Sequence, residues 1–415
     1  MTAMSGLKKV LVLSIWEDVW SLGGEGGVAD ELHFIRHLNE RGVELDFLVP
    51  EPVEKGRFPC GERLIYHTYP NIFSRYAWAP KLVKRLVWPS SFRRAVTGRL
   101  RSLARETKPD ILLGFTYYSL GPLERIGREL GIPTAVKMFG VMYLDRFDYP
   151  RMKYWWKNFE QLSALKHPVD LYIVLNDGTR GKTSLTRLGI PEEKITFLPN
   201  GMDTGWADVT VDRSKVQKEL HLPEDRMLVV TFSRLVRSKR VDQFLEAASL
   251  LDSESRRKIA LVVGGDGPER PALERRAGRL GLDVIFTGVI PHRKVVDFLK
   301  ASDIFVGTNE LTNMSLPPCE AILCGIPVVA FDNSGTSEVV RDGETGLLAS
   351  EGDVEELSRK LARIINDGEL RRRLSEGAAA FGRTHFVSWD DRISMEAEAL
   401  ESLLDRSITR GSDAR

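Results

Sequence analysis

Four cations stand close together at the end of an apolar run, where Met227 to Ser233 is followed at once by Arg234, Arg237, Lys239 and Arg240. Guanidinium forks and an ammonium group at a strand end, beside a helix start, are suited to clamping a diphosphate, the alternative being a merely solvated cluster. Further on, Glu320 lies near the start of a helix read over Pro317 to Leu323. A carboxylate there can hold ribose hydroxyls while backbone N–H groups at helix starts receive phosphates. Glycines recur before other helices, as Gly23, Gly24, Gly26 and Gly27 in SLGGEGG and as Gly264, Gly265 and Gly267 in GGDG. They let backbone amides approach an anion or a sugar closely, the alternative for the first group being a ligand-free strand-to-helix turn. Their spacing is not GxGxxG, so it does not point to NAD. His292 stands either beside the base-binding region or as a plain loop or cap histidine, with base discrimination expected from backbone around Gly265 and Ile290.

The elements that must position these residues read as alternating strands and helices. In the second half, strands are expected at Met227–Ser233, Lys258–Val263, Val284–Phe286, Asp303–Thr308 and Val328–Phe331, each followed by a loop and an amphipathic helix. The loop Asn333 to Glu338 follows the last of these and opens a further helix. In a parallel sheet all these loops emerge at the carboxyl edge, where ligands of α/β proteins bind. The first half repeats the plan, with strands at Val10–Ile15, Val43–Val49, Asp110–Phe115, Ile132–Phe139, Leu171–Asn176 and Ile195–Phe197. The fold class is therefore α/β, two Rossmann-like domains facing one another across a cleft. Boundaries fall at 1–205 and 206–387, with a C-terminal helix over 388–415 that packs back on the N-terminal domain and ends in a frayed tail.

Residues 51 to 108 are less regular, with aromatics interleaved with lysines and arginines, and SFRRAVTGRLRSLARE reads as a basic amphipathic helix. That helix is either a solvated face or a surface for an anionic membrane or a lipid phosphate. Trp155 and Trp156 are expected in core or domain packing. At 415 residues the chain exceeds one comfortable core, and its charge of +1 excludes a global nucleic-acid footprint. The three cysteines suit neither a disulfide framework nor a zinc cluster, which points to a reducing compartment. The apolar run at Val10 is too short for a membrane span and is followed by Glu17 and Asp18, so it reads as a first strand.

The blocks FSRLVRSKRVDQFLEA, VVGGDGPE, IFTGVIP, PPCEAILCGIPVVA and GTSEVVRDGETGLL follow one another in the order found in one family. Through them the chain resembles the retaining GT-B glycosyltransferases, most closely glycosyltransferase family 4. The resemblance implies that Arg234 and Lys239 are the catalytic cations on the donor diphosphate. It implies that Glu320, the second glutamate of an E-x7-E motif, holds the ribose, and that LPNGMD matches the family's NG-x-D segment at Asn200, Gly201 and Asp203. The glycine loop closes on the diphosphate with either Gly23–Gly24 or Gly26–Gly27, and the loop Ser334, Gly335 and Thr336 touches donor phosphate or sugar.

Two positions depart from the pattern. Thr312 stands eight residues before Glu320, where the first glutamate belongs, so Asn313 and Ser315 join Thr312 as candidate donor contacts. Phe139 stands where many members carry histidine, which makes Lys137 and Asp145 candidate acceptor-side contacts beside it. The resemblance implies transfer of a hexose from a nucleoside-diphosphate sugar to an acceptor hydroxyl with retention, without a metal or other cofactor. The setting it implies is cell-surface polysaccharide or glycolipid synthesis in the cytoplasm. Its partners are then a nucleotide sugar and a saccharide or lipid-linked saccharide, not nucleic acid, with peripheral contact on the inner face of the membrane through residues 73–105. Two other readings stand beside it, a catalytically degenerate GT-B binding or assembly protein and a GT-B type epimerase.

Overall fold

The computed structural model describes residues 6–15, 29–51, 64–71, 78, 80–175, 178–219, 224–310, 315–333 and 335–413. Gly23, Gly24, Gly26, Gly27, Thr312, Asn313 and Ser334 lie outside the described residues. The chain divides into two compact units, one formed by Met1–Gly201 with Trp389–Arg415 and the other by Met202–Ser388.

The first unit is built on a seven-stranded parallel sheet. Its strands are β1 (Lys9–Leu13), β2 (Glu44–Pro50), β3 (Leu64–Tyr69), β4 (Ile111–Phe115), β5 (Thr134–Met138), β6 (Leu171–Leu175) and β7 (Ile195–Leu198). They lie in the order β3-β2-β1-β4-β5-β6-β7, so the winding reverses between β1 and β4. The central strands are nearly continuous apolar runs because both faces are covered. One face packs on Phe34, Ile35 and Leu38 of helix Ala29–Glu40 and on Ile393, Ala397 and Leu400 of helix Trp389–Asp413. The other face packs on Phe92, Val96 and Leu100 of helix Lys81–Thr107, on Leu123 of Leu120–Leu130 and on Leu185 of Gly178–Arg187.

Within the less regular stretch, Leu64–Tyr69 forms strand β3, and the expected basic helix is the later part of a longer helix, Lys81–Thr107. As an edge strand β3 carries exposed Ile65 and polar His67, whose ring nitrogen meets the Asp46 carboxylate at 3.0 Å, so its apolar signal is weak. The C-terminal helix runs on to Asp413 rather than fraying after Leu404. Trp155 and Trp156 are also not where expected: they are 55% and 46% exposed. Helix Arg151–Ala164 buries the amides of Asn158 and Gln161 instead, and Asn158 Nδ2 donates to the carbonyls of Tyr143 and Tyr154 at 3.1 Å.

β8 is the two-residue strand Gly201–Met202. The second unit holds a six-stranded parallel sheet of β9 (Met227–Phe232), β10 (Ile259–Gly264), β11 (Val284–Gly288), β12 (Ile304–Gly307), β13 (Val328–Asp332) and β14 (Gly346–Ser350). The order is β11-β10-β9-β12-β13-β14, which places the reversal between β9 and β12. β14 was not among the expected strands. Its pairing with β13 depends on Gly346, where an added Cβ would lie 2.0 Å from the Val328 carbonyl oxygen. Helix Val354–Asn366 closes one face through Leu357, Leu361 and Ile364, and helix Leu316–Leu323 closes the other through Cys319, Ala321 and Ile322.

Candidate active site

The reversal between β9 and β12 opens a crevice at the carboxyl edge of the second sheet, the place where loops diverge and a ligand can enter. The β9 loop carries Arg234, exposed, and Lys239, half-buried in the turn Arg237–Lys239. The β12 loop is stitched to it, since Thr308 Oγ1 donates to the Lys239 carbonyl at 3.0 Å and Glu310 N–H to the Ser238 carbonyl at 3.0 Å. Burial pushes the Lys239 ammonium below its ordinary pKa, and the neighbouring charge of Arg234 pushes it further down. Among the described residues neither cation is paired with a carboxylate. Other cations nearby do have such partners: Arg240 reaches Asp242 at 3.2 Å and Arg270 reaches Glu274 at 2.8 Å. Two neighbouring cations, one of them drawn out of water, are an arrangement that an anion relieves.

The next loops frame this crevice. Gly265 has φ +111°, and an added Cβ would lie 1.9 Å from the Ser233 carbonyl oxygen, so the close approach it permits is between the β9 and β10 loops. Ile290 lies half-buried after β11, 2.9 Å from the Cβ that Gly264 lacks. On the other side Asn309 Nδ2 donates to Ser315 Oγ at 3.1 Å, and the Asn333 amide donates to the Asn309 carbonyl. Thr336 Oγ1 in turn donates to Asn333 Oδ1 at 3.0 Å. Asn309, Ser315, Asn333, Gly335 and Thr336 thereby line one small pocket. Glu320 projects from helix Leu316–Leu323, its side chain 14% exposed, with His292 Nε2 3.7 Å from its Oε1. Cys319 and Cys324 are buried and their thiols are pushed up, Cys324 to about 12, so both act as core residues.

The first unit presents a different edge. Lys137, expected on the acceptor side, is fully buried, and its Nζ donates to Glu396 Oε2 at 3.0 Å. Its ammonium lies 4.9 Å from the Phe34 ring, 5.5 Å from Phe115 and 5.6 Å from Phe139, which encloses it in aromatic faces. Lys137 is therefore a core ion partner rather than an acceptor contact, and Phe139 is one wall of its enclosure. Asp145 remains at the carboxyl edge. Its Oδ2 meets Arg180 Nη1 at 3.3 Å, while its buried Oδ1 has no hydrogen-bond partner among the described residues. In the LPNGMD turn, a Cβ on Gly201 would lie 2.3 Å from the Trp389 ring, so this glycine makes room for the indole that stacks on His33 at 4.7 Å.

Residues 212–381 match the family model described as glycosyl transferases group 1, and residues 31–206 match that of glycosyltransferase family 4. Between them the two models span most of the chain, which is related to glycosyltransferase family 4. It is similar to the alpha-D-kanosaminyltransferase of Streptomyces kanamyceticus, 26% identical over 61% of this chain and 67% of that protein. It is also similar to the lipopolysaccharide core biosynthesis glycosyltransferase LpsE of Rhizobium meliloti, 29% identical over 67% of this chain and 72% of the relative. Against other curated relatives the chain spans only about half of their length, 55% of one and 49% of another. The crystal structure of Anabaena HepE in complex with UDP shares the fold, with a TM-score of 0.69 and 19% identity over 95% of this chain and 100% of that one. The fold is thus that of the GT-B glycosyltransferases.

Thr116 was not singled out by the sequence pattern. It follows β4 at the reversal point of the first sheet and has φ +65°, a strained conformation for a β-branched residue. It is 8% exposed, and its hydroxyl has no partner among the described residues. Nothing in FTYYS announces this, because the strain comes from the tight turn that Ser119 closes by donating to the Thr116 carbonyl at 2.6 Å. Among the described residues no cluster of three or more His, Cys, Asp or Glu side chains is placed to hold a metal ion.

Proposed function

We propose that the enzyme transfers a hexose from a nucleoside-diphosphate sugar, with retention, to a hydroxyl of a saccharide or lipid-linked saccharide in cell-surface polysaccharide or glycolipid synthesis. The observation that carries this reading is the pair Arg234 and Lys239, drawn together at the sheet reversal with no carboxylate on either among the described residues. As the glycosidic bond to the donor breaks, negative charge grows on the leaving diphosphate, and these two cations stabilise it. Glu320 accepts hydrogen bonds from the ribose hydroxyls, while Ser315, Gly335 and Thr336 meet the phosphates and the transferred sugar. Attack comes on the face from which the diphosphate departs, and a phosphate oxygen of the leaving group takes the acceptor proton. This route needs no paired carboxylates of the glycosidase kind. Asp145 and the edge around Thr116 face the acceptor.

The outer face of helix Arg151–Ala164 supports a reading in which the acceptor is met at a membrane. Met152, Trp155 and Trp156 are exposed there at helical spacing, and Arg151, Lys153 and Lys157 are exposed among them. Helix Lys81–Thr107 lies in the same layer, and with helix Leu120–Leu130 it lines a groove bearing Arg93, Arg94, Arg101, Arg125 and Arg128. No described helix is long and apolar enough to cross a membrane. Peripheral contact with the cytoplasmic, anionic leaflet fits these side chains. HepE carries UDP in its crystal structure, so UDP-sugars are the first donors to try.

The test is nucleotide release from a panel of sugar nucleotides, measured alone, with soluble saccharides, and with lipid extract in anionic or neutral vesicles. The reading predicts release that depends on one donor and rises with lipid acceptor in anionic vesicles. If no sugar nucleotide is bound or consumed, the transferase reading fails and a degenerate binding protein takes its place.

A further inference from the structure

His292 opens helix His292–Lys300 after β11 and stands between two carboxylates contributed by separate elements. Its Nε2 is 3.7 Å from Oδ2 of Asp203, in the segment after β8, and 3.7 Å from Oε1 of Glu320. The ring of Trp206 lies behind it, with centroids 5.1 Å apart and a 40° tilt. The other charged groups close in sequence point elsewhere: Arg293 is exposed, and Lys294 reaches Glu219 at 3.3 Å. Among the described residues the histidine is therefore the charged side chain that approaches both carboxylates.

We propose that His292 is a positioning residue for the donor, an imidazolium that orients the Glu320 carboxylate toward the ribose and offsets the charge of Glu320 and Asp203 where an anionic diphosphate must bind. This rests on the reading of Glu320 as the ribose anchor. With the imidazolium present, the trio of Asp203, Glu320 and His292 carries one net negative charge; with neutral imidazole it carries two. A nucleoside diphosphate entering beside the second arrangement meets added repulsion, and Glu320 loses the contact that fixes its rotamer.

The Glu320 carboxylate holds the His292 imidazole above its ordinary pKa against the opposing effect of burial, and Asp203 adds to the rise. The charged ring thus persists to a higher pH than that of a free histidine. As pH rises through the raised pKa the proton leaves, and donor affinity falls with it. The side chain of His292 is 64% exposed, so its replacement does not threaten the core.

The experiment is a set of donor KM and kcat profiles across the titration range of histidine for the wild-type enzyme, His292→Gln and Glu320→Ala. On the acid side of the range His292→Gln is expected to raise donor KM about five- to tenfold, the scale of a partly exposed charge pair, with kcat within about twofold. Wild-type KM should climb with pH toward that of the variant, while the His292→Gln profile stays flat. A purely structural histidine would change kcat or stability without removing the pH dependence of KM. If His292→Gln keeps the wild-type profile while Glu320→Ala raises donor KM, the role of His292 is overturned and the ribose anchor stands. If Glu320→Ala leaves donor KM unchanged, the ribose anchor falls, and this proposal falls with it.

Discussion

Lys137 at the end of β5 and Lys239 after β9 look alike in the sequence, each a lysine closing a strand or its loop at the edge where ligands bind. Their surroundings are opposite. Lys137 has no exposed surface, a carboxylate at 3.0 Å and three aromatic rings around its ammonium. Lys239 is half-buried, lies beside the cation Arg234 and has no carboxylate paired with it among the described residues. A buried charge whose partner belongs to the same fold is part of the architecture, because its desolvation is offset before any ligand arrives. A desolvated charge beside a like charge is offset only when something else binds.

Substitutions at the two places should separate these roles. The largest effect is expected at Glu396, which answers both buried cations Lys137 and Arg392. Glu396→Ala removes the carboxylate shared by the two and should cost about 3–5 kcal/mol in urea unfolding, whereas at an exposed acid such as Glu369 the same change should cost under about 1 kcal/mol. A small loss at Glu396 would mean that the buried pair adds little to the C-terminal helix. Next in size, Arg234→Ala should lower turnover by roughly 10²–10³, or about 2–4 kcal/mol of transition-state stabilisation, with an unchanged unfolding curve. Near-normal turnover in that variant would remove the clamp.

How far the sequence could be read follows the same division between what a segment does alone and what it does against its neighbours. The αβ alternation and the central strands were legible because burial on both faces leaves continuous apolar runs such as IALVVG. Edge strands β3 and β14 were not, since one side of each is open or rests on a glycine fitted under another strand. The cations Arg234 and Lys239 were legible from their place after a strand. Lys137 was misjudged because its partner Glu396 lies 259 residues away in the chain, beyond any local pattern. The same distance effect hid the aromatic stripe of Trp155 and Trp156, because the side of a helix that is buried depends on what packs there, and here Asn158 and Gln161 take the inner side. Gly265 shows the reverse case: a glycine legible as a place of close approach, whose close neighbour is the Ser233 carbonyl.

Whether Lys239 and Arg234 hold a diphosphate is decided by calorimetric titration of UDP into the wild-type enzyme and Lys239→Ala. Near neutral pH the wild type should bind and the variant should bind at least roughly tenfold more weakly, with both proteins unfolding at the same temperature. Wild-type affinity should also decline as pH rises toward the lowered pKa of Lys239, short of the 10.5 of an ordinary lysine, because deprotonation removes the cation. Equal affinity in the two proteins, or wild-type binding that is flat through that alkaline range, would contradict the account.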